Sequence, residues 1–283
     1  MDAGDTYRPS GRIGFLAVLF PPSMFGVAFL LGSIYSGIAY IVPVPLSLIV
    51  PLVTVVIAFL AAYFLRRLLR AFKVRNATFC VAAGIYAGIC LIYISWVTFL
   101  ALKPGLPRYL DLLTDPGLVW EGAVSTSRES WFRIRGSSLS VWLRGVFWEL
   151  EAWTFVGICA WSERNALAGI VYCEDCDLWA EETEGFLELK AIDPDEAASA
   201  FKRGDFSGFE RASERDPEIL RLDIWRCAVC EITIVASLRA AKLMGSGEGE
   251  QRYVGGEEIV SKLIIAPRAF ALLSSLRRES EGP

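Results

Sequence analysis

The sequence predicts an α-helical multispan membrane domain followed by a small α+β soluble domain. The 283-residue chain is 54% apolar with a mean hydropathy of +0.42, which is too apolar for an ordinary soluble protein. Its long uncharged segments lie in the first 161 residues, and its two C-x2-C pairs lie in the remainder. These observations divide the chain into a membrane part at 13–161 and a soluble part at 162–283.

Charge is divided along the same boundary. Residues 1–161 contain 13 Lys or Arg and 8 Asp or Glu, a net of +5, whereas residues 162–283 contain 15 and 24, a net of −9. The acidic part would repel phosphate backbones and anionic lipid headgroups, which argues against nucleic-acid binding and peripheral lipid binding. A basic protein surface is the partner that this charge favours.

The first two spans are predicted from Ile13–Leu65, a run of 53 residues without a charged side chain. One helical crossing needs about 20 residues, so the run is long enough for two. Glycine and proline residues in Ser36–Pro45 interrupt the helical pattern. We therefore predict a tail at 1–12 and spans at about 13–35 and 44–65.

A third span is predicted at 77–102, which is uncharged for 26 residues. Its small residues Ala83, Gly84, Ala87 and Gly88 recur at spacings of three and four. Such a stripe allows two helices to approach closely in lipid, so we interpret it as a packing surface.

The segment 139–161 has the length of a span but contains Arg144, Glu149 and Glu151. A charge at a helix centre costs about 2.5–3.5 kcal/mol on insertion scales. Arg144 and Glu151 are seven residues apart and share a helix face, which predicts a pair, while Glu149 points elsewhere. We interpret the three residues as an intramembrane charge site in a fourth span. A surface helix, and hence three spans, is the alternative.

Basic residues predict the orientation. Arg8 and Arg12 precede the first span, and five basic residues lie within Arg66–Arg75, whereas the first connecting loop has none. Loops rich in Lys and Arg remain in the cytoplasm, which places the N-terminus there. We expect a protein of a bacterial inner membrane. With four spans the domain at 162–283 is also cytoplasmic, and with three it is outside.

The four cysteines of the acidic part form two pairs, Cys173 with Cys176 and Cys227 with Cys230, separated by 50 residues. Strand-like sequence flanks each pair, so each predicts a hairpin tip that presents two sulfurs. This pattern resembles the knuckles of a zinc ribbon, a resemblance that covers the two motifs and their flanking strands. Zinc ribbons are usually spaced by about 15–20 residues, so the longer spacing here implies an inserted subdomain.

The inserted segment has its own folding signals. Phe186–Ile192 alternates like a strand. Asp193 and Pro194 then mark the start of a helix that Gly204 ends. After the second cysteine pair, Ser261–Arg278 predicts one or two terminal helices.

The chemistry of the cysteine pairs follows from their surroundings. Disulfides are disfavoured in a reducing cytoplasm, and the acids Glu174, Asp175 and Asp177 around the first pair disfavour the thiolate of a reactive dithiol. A bound dication offsets these acids, and four thiolates suit Zn²⁺ best. We predict a structural zinc ion, with iron or redox chemistry as alternatives.

Histidine is absent from the chain, which excludes catalytic systems that need an imidazole. We therefore favour a non-enzymatic role: a membrane adaptor or sensor that displays a zinc-stabilised acidic domain and can form homo-oligomers. One alternative is a transporter or channel for small solutes that uses the intramembrane charges. The second is a membrane thiol oxidoreductase.

Overall fold

The structure of the chain is a computed structural model. It describes residues 4–41, 49–103, 108–128, 133–134, 137–138, 141–164, 167, 169–213, 216–244 and 252–278. Its contacts divide the chain into two compact units. One comprises Ser10–Ala168, and the other combines Met1–Pro9 with Gly169–Pro283.

The first unit is helical. A 3₁₀ turn at Phe15–Leu19 leads into α1, and the helices that follow are separated by short connections. The helices are α1 (Phe20–Ile41), α2 (Ile49–Ala71), α3 (Ala77–Ala101), α4 (Tyr109–Thr114), α5 (Pro116–Arg128) and α6 (Val141–Arg164). A small hairpin of β1 (Arg133–Ile134) and β2 (Ser137–Ser138) precedes α6.

Three helices of the described residues, at Phe15–Ile41, Ile49–Ala71 and Ala77–Ala101, are long and apolar enough to cross a membrane. This suggests a membrane protein and agrees with three of the predicted spans. The first part of the predicted break at Ser36–Pro45 is wrong, because α1 continues to Ile41. The rest of the predicted break lies outside the described residues.

The fourth predicted span is not supported by the same measure. Residues 141–164 form α6, but this helix is not among those apolar enough to cross a membrane. The physical reason is its charged residues, which include Glu149 and Glu151. Length and composition therefore support three spans.

Helix α6 nevertheless packs tightly against α3 within the helical unit. A Cβ atom added to Gly84 would lie 2.7 Å from the carbonyl oxygen of Cys159, and one added to Gly88 would lie 2.6 Å from the Cα of Val156. Phe155 and Cys159 are fully buried in the same apolar core as α1, α2 and α3. The small-residue stripe therefore packs against α6, which confirms its predicted role.

The second unit is an α+β domain with two sheets. A two-stranded sheet pairs β3 (Tyr172–Cys173) with β4 (Leu178–Trp179). A four-stranded antiparallel sheet has the order β5-β6-β7-β8. Its strands are β5 (Glu181–Lys190), β6 (Glu218–Arg226), β7 (Ile234–Met244) and β8 (Arg252–Ile264).

Two helices cover one face of the larger sheet. Helix α7 (Pro194–Arg203) begins at the predicted cap, where the Asp193 carboxylate accepts hydrogen bonds from two backbone N–H groups, and ends at Gly204. Helix α8 (Pro267–Arg278) is the single terminal helix. Residues 261–264, which the sequence assigned to a helix, belong instead to β8. Apolar residues of both helices and the sheet form one core.

The N-terminal segment belongs to this α+β domain. Thr6 pairs with Leu263 of β8, and the N–H of Tyr7 donates to the carbonyl of Lys262 at 2.7 Å. Tyr7 is buried with Val171 and other residues on the face of the sheet opposite the helices. The segment thus extends the sheet beyond β8.

Candidate metal centre

The first cysteine pair lies on the β3–β4 hairpin. Cys173 pairs with Leu178 across the hairpin, and Cys176 lies in the turn between the strands. Asp177 closes this turn with a positive φ of 54°, and its carboxylate accepts a hydrogen bond from the Tyr172 hydroxyl. The strands therefore fix Cys173, and the turn brings Cys176 back beside it.

The second pair occupies the turn between β6 and β7. The N–H of Cys227 donates to the carbonyl of Thr233 at 3.1 Å, and the N–H of Glu231 donates to the carbonyl of Cys227 at 3.2 Å. Glu231 has a positive φ of 55°. Glu231 and Asp177 both lie four residues after the first cysteine of their pair, so the two turns have related conformations.

The two turns bring the four cysteines together. Their sulfur atoms all lie within 4.8 Å of one another, and the Sγ atoms of Cys173 and Cys230 are 3.6 Å apart. A tetrahedral site with metal–sulfur bonds of about 2.3 Å has sulfur–sulfur edges of about 3.8 Å. None of the four is in a disulfide. The predicted cluster is therefore formed, and it could hold a metal ion.

Backbone N–H groups and neighbouring thiols shift the pKa values of Cys230 and Cys176, the two partly exposed cysteines of the cluster. Hydrogen bonds from the N–H groups of Thr233 and Ile232 lower the pKa of Cys230 to about 6. The pKa of Cys176 is raised to about 12, first by its hydrogen bond with Cys230. A metal binds cysteine as the thiolate, so binding to all four sulfurs releases the protons that they carry and becomes tighter as the pH rises.

Two residues beside the cluster were not found from the sequence. The Thr233 hydroxyl donates to the sulfur of Cys173 at 3.2 Å. The Tyr7 hydroxyl accepts a hydrogen bond from the N–H of Tyr172 at 2.9 Å. Thr233 follows Cys230 by three residues, but the residue at the same distance from Cys176 is Trp179, so the two pairs do not share this position. Tyr7 is distant in sequence from both pairs. No spacing pattern reveals either contact.

The predicted charge site is divided in the structure. Glu149 is exposed, whereas Glu151 is partly buried and lines a cavity in the helical unit. The side chain of Arg144 lies outside the described residues, so its pairing with Glu151 stays a prediction. Glu151 shares the wall of this cavity with Tyr35 of α1.

Comparison with known proteins adds no relative. No family model, curated protein or solved structure matches the chain. The chemistry of the cysteine cluster therefore has to be inferred from its geometry, which offers four sulfur ligands at the ends of two hairpins.

Proposed function

We propose that the chain is an integral membrane protein that crosses the bilayer four times and displays a zinc-stabilised acidic domain in the cytoplasm, as an interaction adaptor or sensor. The observation that carries the proposal is the cluster of four sulfurs within 4.8 Å. A metal held by four protein ligands has no open position for a substrate. The metal therefore stabilises the fold of the domain, and the surface of the domain carries out the adaptor or sensor role.

Zinc suits this cluster for two reasons. Four thiolates in tetrahedral geometry match Zn²⁺, which has no geometric preference of its own and no redox chemistry. Exposed acids next to the cysteines, Asp175 and Glu231 among them, increase the electrostatic cost of four uncompensated thiolates, which a dication offsets. Binding then contributes directly to the folding free energy of the domain.

Four crossings are supported by the pairing of the two chain ends of the α+β domain. Thr6 pairs with Leu263, so the N-terminal segment and the cysteine domain lie on the same side of the bilayer. The chain leaves this domain at Ser10 and returns at Gly169. An even number of crossings fits this arrangement, which favours a fourth crossing in addition to the three apolar helices.

The path of α6 supports it as the fourth crossing. Near the end of α6, the carbonyl of Ser162 accepts a hydrogen bond of 2.8 Å from Arg66, which lies near the end of α2. In the first half of α6, Trp148 contacts Trp96 near the end of α3, with ring centroids 4.7 Å apart. Together with the contacts of Gly84 and Gly88, this shows that α6 runs antiparallel to α3 from Trp148 to Ala160.

The basic residues support the orientation. The segment that joins α2 to α3 lies, like Arg66, at the end of the bundle where α6 ends. At the same end, the N–H of Arg75 donates to the carbonyl of Arg12 at 2.9 Å. Concentrated Arg and Lys favour the cytoplasmic face of a bacterial inner membrane. The acidic domain, which continues from α6, is then cytoplasmic, where it attracts basic protein surfaces rather than nucleic acid.

Elemental analysis of the purified protein tests the metal. We expect about one zinc per chain. Cys227→Ser should lose the metal and unfold the cysteine domain, since the metal contributes to folding. Cys90→Ser is the matched control, because this buried thiol lies in α3 and should leave the zinc content unchanged. Reduced, folded protein without metal would contradict the proposal, as would full retention of zinc in Cys227→Ser.

Reporter fusions test the topology separately. Reporters after Trp161 and at the C-terminus should indicate the cytoplasm, and one near Gly122 should indicate the outside. If Gly122 and the C-terminus lie on the same side, the chain has three spans, and the oxidoreductase alternative becomes the leading hypothesis because the cysteines would then face an oxidising compartment.

A further inference from the structure

The helical unit contains a cavity of about 380 Å³. Its walls come from the end of α1, the start of α2, the end of α3 and the first half of α6, with Thr126 of α5 at its border. Most of its surface is apolar, and its volume is within the range of cavities that bind small molecules. It lies at the end of the bundle opposite Arg66 and Ser162.

One carboxylate faces this largely apolar space. Glu151 lines the cavity together with Tyr35 and Thr54, and the Tyr35 hydroxyl accepts a hydrogen bond from Thr54 at 3.2 Å. Among the described residues, no ion pair to Glu151 is present. A carboxylate at such a position is costly unless a cation or several donors compensate it.

A second polar group in the wall lacks a partner. Ser95 is 6% exposed and lines the cavity. Its carbonyl accepts a hydrogen bond from Ser36 at 2.6 Å, but its hydroxyl has no hydrogen-bonding partner among the described residues. Buried hydroxyl groups are usually paired, so this one indicates a missing partner.

Aromatic rings supply much of the remaining wall. Trp96 and Trp148 meet edge to face, and Phe99 and Phe147 also line the cavity. The Phe99 ring already has the ammonium group of Lys103 at 5.5 Å, and that ammonium donates to Thr126 at 2.9 Å. Aromatic faces combined with a partly buried carboxylate are the combination that recognises an organic ammonium ion.

We propose that this cavity binds a hydrophobic organic ammonium ion, with Glu151 as its counter-ion, Ser95 as a polar contact and the aromatic rings around its apolar part. The carboxylate provides charge selectivity, and the apolar walls select against small inorganic cations. This site does not depend on the metal centre. If the proposed function holds, it would give the sensor an input at the outer end of α6, the helix that precedes the cysteine domain in the chain.

The test uses the full-length protein in lipid nanodiscs and a matched pair of probes. Benzyltrimethylammonium is the cation, and neopentylbenzene is its neutral isostere. Binding is measured by equilibrium dialysis, after subtraction of the uptake by empty nanodiscs. We expect saturable binding of the cation. Glu151→Gln should weaken it by about tenfold or more, the size expected when a charged contact in an apolar site is lost. Glu149→Gln should bind like the wild type, because Glu149 is exposed.

Two further variants make the test decisive. If Glu151→Gln does not fold, Ala39→Phe fills the cavity from α1 without changing its charge and should also abolish binding. Equal affinity for both probes, an equal loss in Glu149→Gln, or no saturable binding would overturn the proposal. Tighter binding of benzyltrimethylammonium by Arg144→Leu would also overturn the proposal, because Arg144 would then be the counter-ion of Glu151.

Discussion

The contact between α3 and α6 is so close at Gly88 that one methyl group can test it. Replacing Gly88 with alanine places a Cβ atom 2.6 Å from the Cα and 2.9 Å from the backbone nitrogen of Val156. Ordinary carbon–carbon contacts are about 3.5–4.0 Å. Because the obstructing atoms belong to the backbone, no side chain can rotate away, and the helices must separate by about 1 Å.

The cost of this separation can be estimated. Overpacking a close contact usually costs about 1–3 kcal/mol, and alanine recovers up to about 1 kcal/mol through its higher helix propensity. We therefore expect Gly88→Ala to lower the free energy of unfolding by about 1–2 kcal/mol. For a chain of this size that corresponds to a decrease in Tm of about 2–8 °C.

The assay is thermal unfolding of the purified protein in detergent, followed by tryptophan fluorescence. Gly157→Ala is the matched control, because Gly157 is adjacent to Val156 on α6 and has no atom within 4 Å of an added Cβ. This variant should be neutral or slightly more stable. If Gly88→Ala is as stable as Gly157→Ala, α6 does not pack along α3, and the argument for a fourth crossing loses its structural support.

Two other predictions concern buried charges, and a third concerns a helix cap. Arg66→Met should lower the free energy of unfolding by about 1–3 kcal/mol in thermal unfolding, because it leaves the fully buried Glu163 without the cation that lies 3.7 Å away. Adding Glu163→Leu to this variant should recover most of the loss. Asp223→Ala should lower the free energy of unfolding by about 2 kcal/mol in denaturant unfolding, because it removes the acceptor of the 2.7 Å hydrogen bond from the Gly185 N–H. Asp223→Asn keeps an acceptor and should cost less. Asp193→Ala should cost about 1 kcal/mol by the same measurement, since its carboxylate caps α7. A loss below about 0.3 kcal/mol, the size of a surface substitution, would contradict the capping role.

Local sequence signals predicted much of the fold. The uncharged runs gave the three apolar helices because a span has to be continuously apolar. Asp193, Pro194 and Gly204 predicted the boundaries of α7, since capping depends on residues that are adjacent in the chain. The two C-x2-C pairs predicted the members of the cysteine cluster for a similar reason, because each pair is held by its own hairpin.

Strand β8 shows where such signals fail. Its pairing with β7 contains several register shifts, and Lys262 has a positive φ of 46°. These irregularities break the alternation by which a strand is recognised in sequence. The neighbouring helix α8 was predicted because its apolar residues keep a regular spacing.

The sequence by itself determined which segments are apolar, which residues could ligate a metal and where the charge lies, because each of these is a property of neighbouring residues. Only the tertiary structure decided that Thr6 pairs with Leu263, that Gly88 contacts Val156 and that Glu151 faces a cavity beside Tyr35. Each of these contacts joins residues that are far apart in the chain. Their formation depends on how whole helices and strands pack, and no local pattern encodes that arrangement.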